Sequence, residues 1–194
     1  MKIALERRDV VARILENRGD LLVVSGLGSP TYHVFAVSDS PLNFYLWGGM
    51  GGTAMVGLGL ALAQPSRRVL VITGDGDMLM GVGSLATIGV QRPKNLSLVI
   101  IDNQSYGETG MQASHTGQGV DLAAIAAAST FQNTATIYTT QQLDAWRAGM
   151  WTTAPSLAVV KVTTTRPPLE VPPREGVYIK NRFREALFGL HGIP

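Results

Sequence analysis

Short apolar runs recur along the chain and predict the strands of a sheet. Three of them, residues 21–25, 69–73 and 96–101, consist almost entirely of Val, Leu and Ile, which is typical of strands buried on both faces. Three weaker runs complete the set. The predicted strands are residues 21–25, 44–46, 69–73, 96–101, 135–138 and 157–162.

Segments with apolar residues at helical spacing lie between these runs. The first is an amphipathic helix near the N-terminus, whose buried face is expected to carry Val10, Val11, Ile14 and Leu15. The other predicted helices are residues 53–63, 78–90, 121–129, 141–150 and 178–189. Because strands and helices alternate, we predict an α/β fold, a three-layer doubly wound parallel sheet with helices on both faces.

The packing of two segments stays open at this stage. Helix 53–63 is rich in small residues, which allow a close approach either to the sheet or to another subunit. Residues 165–175 are too rich in proline for regular structure and are predicted to form an extended connector. The connector leads to helix 178–189, which can pack on the same domain or on a partner.

The composition favours a single domain over residues 1–194 that acts in the cytoplasm. Hydrophobic residues make up 45% of the chain, and the N-terminal stretch lacks the apolar segment of a secretion signal. The chain has no cysteine, which excludes disulfides, iron–sulfur clusters and thiolate zinc sites. Its net charge of +2 comes from scattered residues and does not indicate nucleic-acid binding. The apolar stretch 48–63 has 16 residues, too few to span a membrane.

An acidic glycine turn joins the third predicted strand to a helix. Asp75 lies between Gly74 and Gly76, and the N-terminus of a helix suits a phosphate group. An aspartate at this position would repel that phosphate unless a cation such as Mg²⁺ lay between them. Asn103 follows Asp75 by 28 residues, directly after the next strand. If the two strands are neighbours, both side chains emerge at the same carboxyl edge, where open α/β folds bind ligands.

The Gly74-Asp75-Gly76 turn followed by Asp102-Asn103 resembles the GDG…NN motif of thiamine diphosphate enzymes. The resemblance implies that Asp75, the Asn103 side chain and the main-chain oxygen of Ser105 bind Mg²⁺. Asp102 replaces the first Asn of the family pair, which leaves the ligand position intact. The cofactor-binding residues that the resemblance implies are Gly28, Ser29, Gly49, Met50, Gly74, Asp75, Gly76, Asp77, Asn103, Ser105, Tyr106 and Gly107.

Met50 and Asp77 each have two possible interpretations in this motif. The family places a large apolar residue 25 positions before the metal-binding Asp, beneath the cofactor, and Met50 has that spacing to Asp75. The resemblance therefore implies a catalytic role for Met50 in bending the cofactor, while the plain alternative is a gap-filling core residue. Asp77 stands where a small residue is expected. It would either cap the helix or adjust the metal shell through water.

Residues 106–116 form a polar, glycine-rich segment suited to a substrate-facing loop. Its pattern of Tyr, Gly, Thr and Gln resembles the small (beta) subunits of sulfopyruvate decarboxylase and the matching part of phosphonopyruvate decarboxylase. His115 is the catalytic candidate on this loop, as a proton carrier, although a lone loop histidine is more often a surface residue.

The resemblance also implies that part of the active site lies on another chain. Related enzymes place the glutamate that activates the cofactor on a pyrimidine-binding domain, and Glu108 of the substrate loop is not assigned that role. We therefore expect the diphosphate-binding subunit of a heteromeric, thiamine diphosphate- and Mg²⁺-dependent 2-oxo acid decarboxylase, completed by a pyrimidine-binding alpha subunit. No basic cluster marks the loops, so residues that bind a sulfonate or phosphonate substrate are expected on that partner.

Three alternatives differ in function. A carboligase or synthase subunit would use the same cofactor, and a non-catalytic protein would bind the cofactor without turnover. Ferredoxin-linked oxidoreductases of this cofactor group are disfavoured, because no cysteine is present to hold a cluster.

Overall fold

A computed structural model describes residues 4–189 and shows one six-stranded sheet in which every neighbouring pair of strands is parallel. The strands are β1 (Leu22–Ser25), β2 (Asn43–Tyr45), β3 (Val69–Gly74), β4 (Leu96–Asp102), β7 (Asn133–Ile137) and β8 (Ser156–Lys161), and a separate two-stranded sheet contains β5 (Ser105–Tyr106) and β6 (Gln112–Ala113). The order across the large sheet is β2-β1-β3-β4-β8-β7. The chain moves to one side from β1 to β2 and to the other side with β3, so the crevice between β1 and β3 is the switch point where such sheets bind ligands.

Helices cover both faces of this sheet, as the alternating pattern predicts. They are α1 (Arg7–Leu15), α2 (Ser29–Ser38), α3 (Thr53–Ala63), α4 (Asp75–Met80), α5 (Ser84–Gln91), α6 (Leu122–Ala128), α7 (Thr140–Ala148) and α8 (Gly176–Phe188). One core packs α1, α2 and α7 against the sheet and includes the four predicted residues of α1. The other core packs α3 to α6 against the opposite face. The predicted α/β fold is confirmed.

The predicted helix 78–90 is wrong as a single element, because it is two helices separated by residues 81–83. The break has a packing cause. The backbone of Gly81 lies against the backbone of Gly51, and a Cβ at Gly81 would collide with the carbonyl oxygen of Gly51. The helix that carries Asp75 is therefore short, and the glycine loop before α3 packs at its end.

The proline-rich connector is extended as predicted, with neither helix nor strand between residues 162 and 175. It is held by remote residues: Trp47 Nε1 donates to Pro173 O at 2.8 Å, and Arg8 Nη2 donates to Pro168 O at 2.6 Å. Helix α8 then packs back beside β2, where Phe183 meets Phe44 edge-on at 5.5 Å between ring centroids. Among residues 4–189 no helix is long and apolar enough to cross a membrane.

Candidate cofactor and metal site

A cavity of about 320 Å³ opens at the carboxyl edge of the sheet, next to the switch point. Its walls come from the loops after β1, β3 and β4, from the glycine loop before α3, and from two segments at opposite ends of the chain. The lining residues include Arg7, Ser29, His33, Met50, Gly74, Asp75, Gly76, Asp77, Asn103, Ser105, Tyr106, Gly107, Glu108 and Arg166.

Asp75 begins α4 and is buried, with 3% of its surface exposed. Its Oδ2 accepts a hydrogen bond from Ser114 Oγ at 2.5 Å, and the hydroxyl oxygen of Thr116 lies 3.3 Å from the same atom. Burial, and then the negative charge of Asp102, raises the pKa of Asp75 to about 6. Among residues 4–189 Asp75 has no basic group within 4 Å, so a bound cation would stabilise its charged form.

Asp102 is the residue that departs from the family pair, and the structure gives it a supporting role. Its Oδ2 accepts from Lys161 Nζ at 2.5 Å, and its Oδ1 accepts from Thr116 Oγ1 at 2.8 Å and from Gln104 N at 2.9 Å. The side chain is fully buried at the end of β4. Asp102 thus fixes the start of the loop that carries Asn103.

The oxygen atoms of this loop complete the candidate metal donors. Asn103 Oδ1 accepts from Ser105 N at 3.1 Å, which folds the loop into a tight turn. Asn103 and Ser105 both line the cavity together with Asp75. Within residues 4–189 no three His, Cys, Asp or Glu side chains converge on a metal site. One carboxylate, one carboxamide and one main-chain carbonyl nevertheless fit Mg²⁺, which takes few protein ligands and shares phosphate oxygens. We call Asp75, Asn103 and Ser105 the metal side of the cavity.

Met50 lies at one end of the same cavity, on a loop that bends sharply. Gly49 and Gly51 have φ values of +67° and +86°, a region that favours glycine. Met50 is 40% exposed, and its methyl group lies close to Gly76. Tyr106 also covers Gly76, where a Cβ would lie 2.9 Å from its ring. An apolar residue, a bare glycine and an aromatic ring therefore meet at this end.

Asp77 supports the Met50 loop, which answers the question that the sequence left open. Its Oδ1 accepts from Gly51 N at 2.5 Å, and its Oδ2 accepts from the hydroxyl of Thr73. Both oxygens are thus bonded outside α4, so the helix-capping interpretation of Asp77 is wrong. The side chain ties the residue next to Met50 to the third strand.

The other side of the cavity carries residues that the sequence did not single out. Arg7 from α1 and Arg166 from the connector line it together with Ser29 at the start of α2. Arg7 Nη1 donates to Ser29 Oγ at 2.8 Å. We call Arg7, Ser29 and Arg166 the basic side. The expectation that basic groups come only from a partner needs correction, because the fold supplies two from distant segments.

Three predicted site residues do not line the cavity. Gly28 precedes α2 with φ of +77° and faces the Glu108 side chain. Gly49 accepts from Gly52 N within its own loop, at 2.8 Å. His115 is exposed outside the cavity, with Nδ1 3.1 Å from Tyr106 Oη. The roles predicted for these residues, like those of the lining residues, stay predictions.

Comparison with known proteins identifies the family. Sulfopyruvate decarboxylase subunit beta of Methanocaldococcus jannaschii is 48% identical over 122 residues, which are 62% of this chain and 64% of that subunit. Phosphonopyruvate decarboxylase of Streptomyces viridochromogenes is 44% identical over 109 residues, 56% of this chain and 27% of that protein. Benzoylformate decarboxylase from Polynucleobacter necessarius shares the fold, with a TM-score of 0.72 and 21% identity over 87% of this chain and 35% of that one.

The matched segments span less than two thirds of the length of these relatives. The family model described as thiamine pyrophosphate enzyme, C-terminal TPP binding domain, matches residues 27–160. That range contains the turn at Asp75, the loop at Asn103 and the Met50 loop. The family resemblance predicted from the sequence is confirmed, and the chain belongs to the thiamine pyrophosphate enzymes, as their C-terminal TPP binding domain.

Proposed function

We propose that this chain is the diphosphate-binding subunit of a heteromeric, Mg²⁺-dependent 2-oxo acid decarboxylase that uses thiamine diphosphate. One observation carries the proposal: Asp75, Asn103 and Met50, which lie far apart in sequence, line one cavity beside the switch point of the sheet. The family match and the names of the relatives support the choice of cofactor and reaction.

The residues of the metal side fit the cofactor's metal. Asp75, the Asn103 carboxamide and the Ser105 carbonyl would hold Mg²⁺, and the metal would in turn hold the diphosphate. Gly28 and Ser29 would contact the same group at the start of α2. The close contact between Gly76 and Tyr106 leaves no room for a larger residue at position 76. Bound thiamine diphosphate would supply the electron sink for decarboxylation of a 2-oxo acid.

Met50 would support the ring system of the cofactor and hold it bent. Its methyl group lies beside Gly76, and the hydrogen bond from Gly51 N to Asp77 keeps its loop in place. Tyr106 and Gly107 would close the other wall. His115 would act on the substrate only after movement of its loop, because its side chain lies outside the cavity.

The partner would be a pyrimidine-binding alpha subunit that supplies the activating glutamate. Two relatives, 48% and 43% identical to this chain, are named as beta subunits of sulfopyruvate decarboxylase, which supports such an assembly. The open position of Met50, 40% exposed, leaves room for a partner to cover the cofactor. We expect sulfopyruvate or phosphonopyruvate as the substrate, from the relatives' names, and a cytoplasmic location.

The test uses the purified chain and a pyrimidine-domain chain, which is to be sought among the products of neighbouring genes. We expect carbon dioxide release from sulfopyruvate or phosphonopyruvate only when both chains, thiamine diphosphate and Mg²⁺ are present. Formation of a carbon–carbon bond with a second carbonyl compound would instead identify a carboligase. Cofactor binding without turnover of any 2-oxo acid in the mixture would contradict the enzyme assignment.

A further inference from the structure

The basic side of the cavity contains a buried charge without a close ion-pair partner, although Glu6, Asp75 and Glu108 act on it from a longer distance. Arg7 is 4% exposed, and within residues 4–189 no carboxylate oxygen lies within 4 Å of its guanidinium. Burying an unpaired charge is costly, so natural proteins seldom keep one without a partner. A buried guanidinium beside a cavity therefore points to an anion that binds there.

Neutral oxygens hold the Arg7 guanidinium in a fixed position. Nη1 donates to Ser29 Oγ at 2.8 Å, and Nη2 donates to the carbonyl of Thr163 at 3.1 Å. Nε is buried and has no hydrogen-bond partner. These bonds orient the group without neutralising its charge.

Arg166 adds a second positive charge to the same cavity from the proline-rich connector. Its Nη2 donates to Gly107 O, which joins the connector to the loop after β4. Burial, and then the positive charge of Arg166, lowers the pKa of Arg7, and the carboxylates of Glu6, Asp75 and Glu108 only partly oppose this shift. Two guanidinium groups that repel each other at one cavity favour an anion between them.

The start of α2 strengthens this preference. Ser29 and Thr31, the first and third residues of this ten-residue helix, have N–H groups that the helix itself does not use, whereas Pro30 between them has none. The carboxylate of Glu108, on the loop after β4, lies over Gly28. Glu108 is exposed, so it can turn into solvent when a stronger anion arrives. Asp75, the expected metal ligand, lines the same cavity.

We propose that Arg7 and Arg166 bind the terminal phosphate of thiamine diphosphate. The diphosphate would then lie between a metal ion on Asp75 and two guanidinium groups. Arginine suits this task, because its planar fork donates two parallel hydrogen bonds to phosphate oxygens. The inference rests on the proposed function, since it names further residues that bind the same cofactor.

The first test compares Arg7→Met with the wild-type chain by calorimetric titration in Mg²⁺, with and without the pyrimidine-domain partner. The affinity for thiamine diphosphate should fall by about 10- to 100-fold, the scale of a lost charge-assisted hydrogen bond. The affinity for thiamine monophosphate, which lacks the terminal phosphate, should change little. Arg13→Met is the matched control, because Arg13 lies on the same helix in an exposed pair with Asp144.

Arg166→Met keeps the test decisive if Arg7→Met fails to fold, because Arg166 is exposed and should be replaceable without loss of the fold. We expect a smaller loss, again for the diphosphate and not for the monophosphate. Equal losses for both ligands would show a structural role and overturn the proposal. Unchanged cofactor affinity with a raised KM for the 2-oxo acid would assign the arginines to the substrate and also overturn it. Failure of the wild-type chain to bind thiamine diphosphate, alone or with its partner, would instead contradict the proposed function.

Discussion

The metal side and the basic side of the cavity are built from different parts of the chain. Asp75, Asn103 and Ser105 come from one strand–helix–strand unit, at the ends of two neighbouring strands. Arg7 and Arg166 come from the first helix and from the connector after the last strand. The contrast shows that the donors of a candidate metal site can come from one short motif, while the basic groups of the same cavity depend on the whole fold.

The largest effect is expected from Asp75→Asn, which removes the only carboxylate of the metal side. The affinity for thiamine diphosphate in Mg²⁺ should fall by about 100-fold, near the upper end for changes at a metal site. Calorimetric titration measures this loss. Asp121→Asn is the control, because Asp121 caps α6 away from the cavity. Unchanged affinity of the Asp75 variant would contradict the proposal that Asp75 binds the metal.

The positive charge of the basic side should affect the pH dependence of folding stability through His33. His33 lies between Ser29 and the arginines of α1, and burial, then Arg7 and Arg8, lowers the pKa of His33 to about 4. The unfolded chain therefore binds a proton below pH 6.5 that the folded chain accepts only near pH 4. The contribution of His33 to stability is full above pH 6.5 and falls by about 2 kcal/mol between pH 7 and pH 5, while Asp75, whose pKa is raised to about 6, acts in the opposite direction over the same range.

Urea unfolding of the wild-type chain and of His33→Gln at both pH values checks this expectation. The variant should lose less stability between pH 7 and pH 5 than the wild-type chain, because the group that must stay neutral is gone. An equal loss in the two proteins would show that other groups control the acid sensitivity.

Met50→Ala should lower the rate of catalysis without weakening cofactor binding, because Met50 belongs to neither the metal side nor the basic side of the cavity. We expect kcat to fall by about 10-fold, since the support beneath the cofactor is lost, while the affinity for thiamine diphosphate stays nearly constant. Steady-state kinetics of the complex and calorimetry give the two values. Met55→Ala is the matched control, because Met55 is equally exposed at 40% and does not line the cavity. Normal turnover with much weaker binding would contradict the role of Met50.

Glu108→Gln should have the smallest effect and the opposite sign. Removing this exposed carboxylate from the basic side should tighten thiamine diphosphate binding by about 2- to 5-fold, the scale of an exposed charge interaction. Titration at low and moderate salt measures it, and the gain should shrink with salt. Glu185→Gln, an exposed change on α8, is the control. Weaker binding would mean that Glu108 supports the site instead of opposing the anion.

The sequence predicted the sheet and the metal side because both depend on local pattern. Buried strands are recognisable from apolar runs such as residues 69–73. The glycine turn at Asp75 follows that run directly, so its position at the end of a strand can be read from the sequence. The helix break at residues 81–83 was missed, because it results from the approach of Gly51 and not from a local signal. The pairing of Asp77 with Gly51 was missed for the same reason.

The basic side could not be predicted from spacing. Arg7 lies in an amphipathic helix where an arginine is ordinarily a solvent-facing residue, yet the fold buries it against Ser29. Arg166 lies in the proline-rich connector after the last strand. It reaches the cavity because the connector folds back, so that the Arg166 side chain bonds to the carbonyl of Gly107. A missing counter-ion is a property of three-dimensional packing, so it becomes visible only once the chain is folded.

The most direct test of the central claim is a titration of the full chain with thiamine diphosphate, in Mg²⁺ and in excess EDTA, with and without its pyrimidine-domain partner. The account predicts binding that requires the metal and that tightens with the partner. No binding by a demonstrably folded chain under any of these conditions, or equal binding in EDTA, would contradict it.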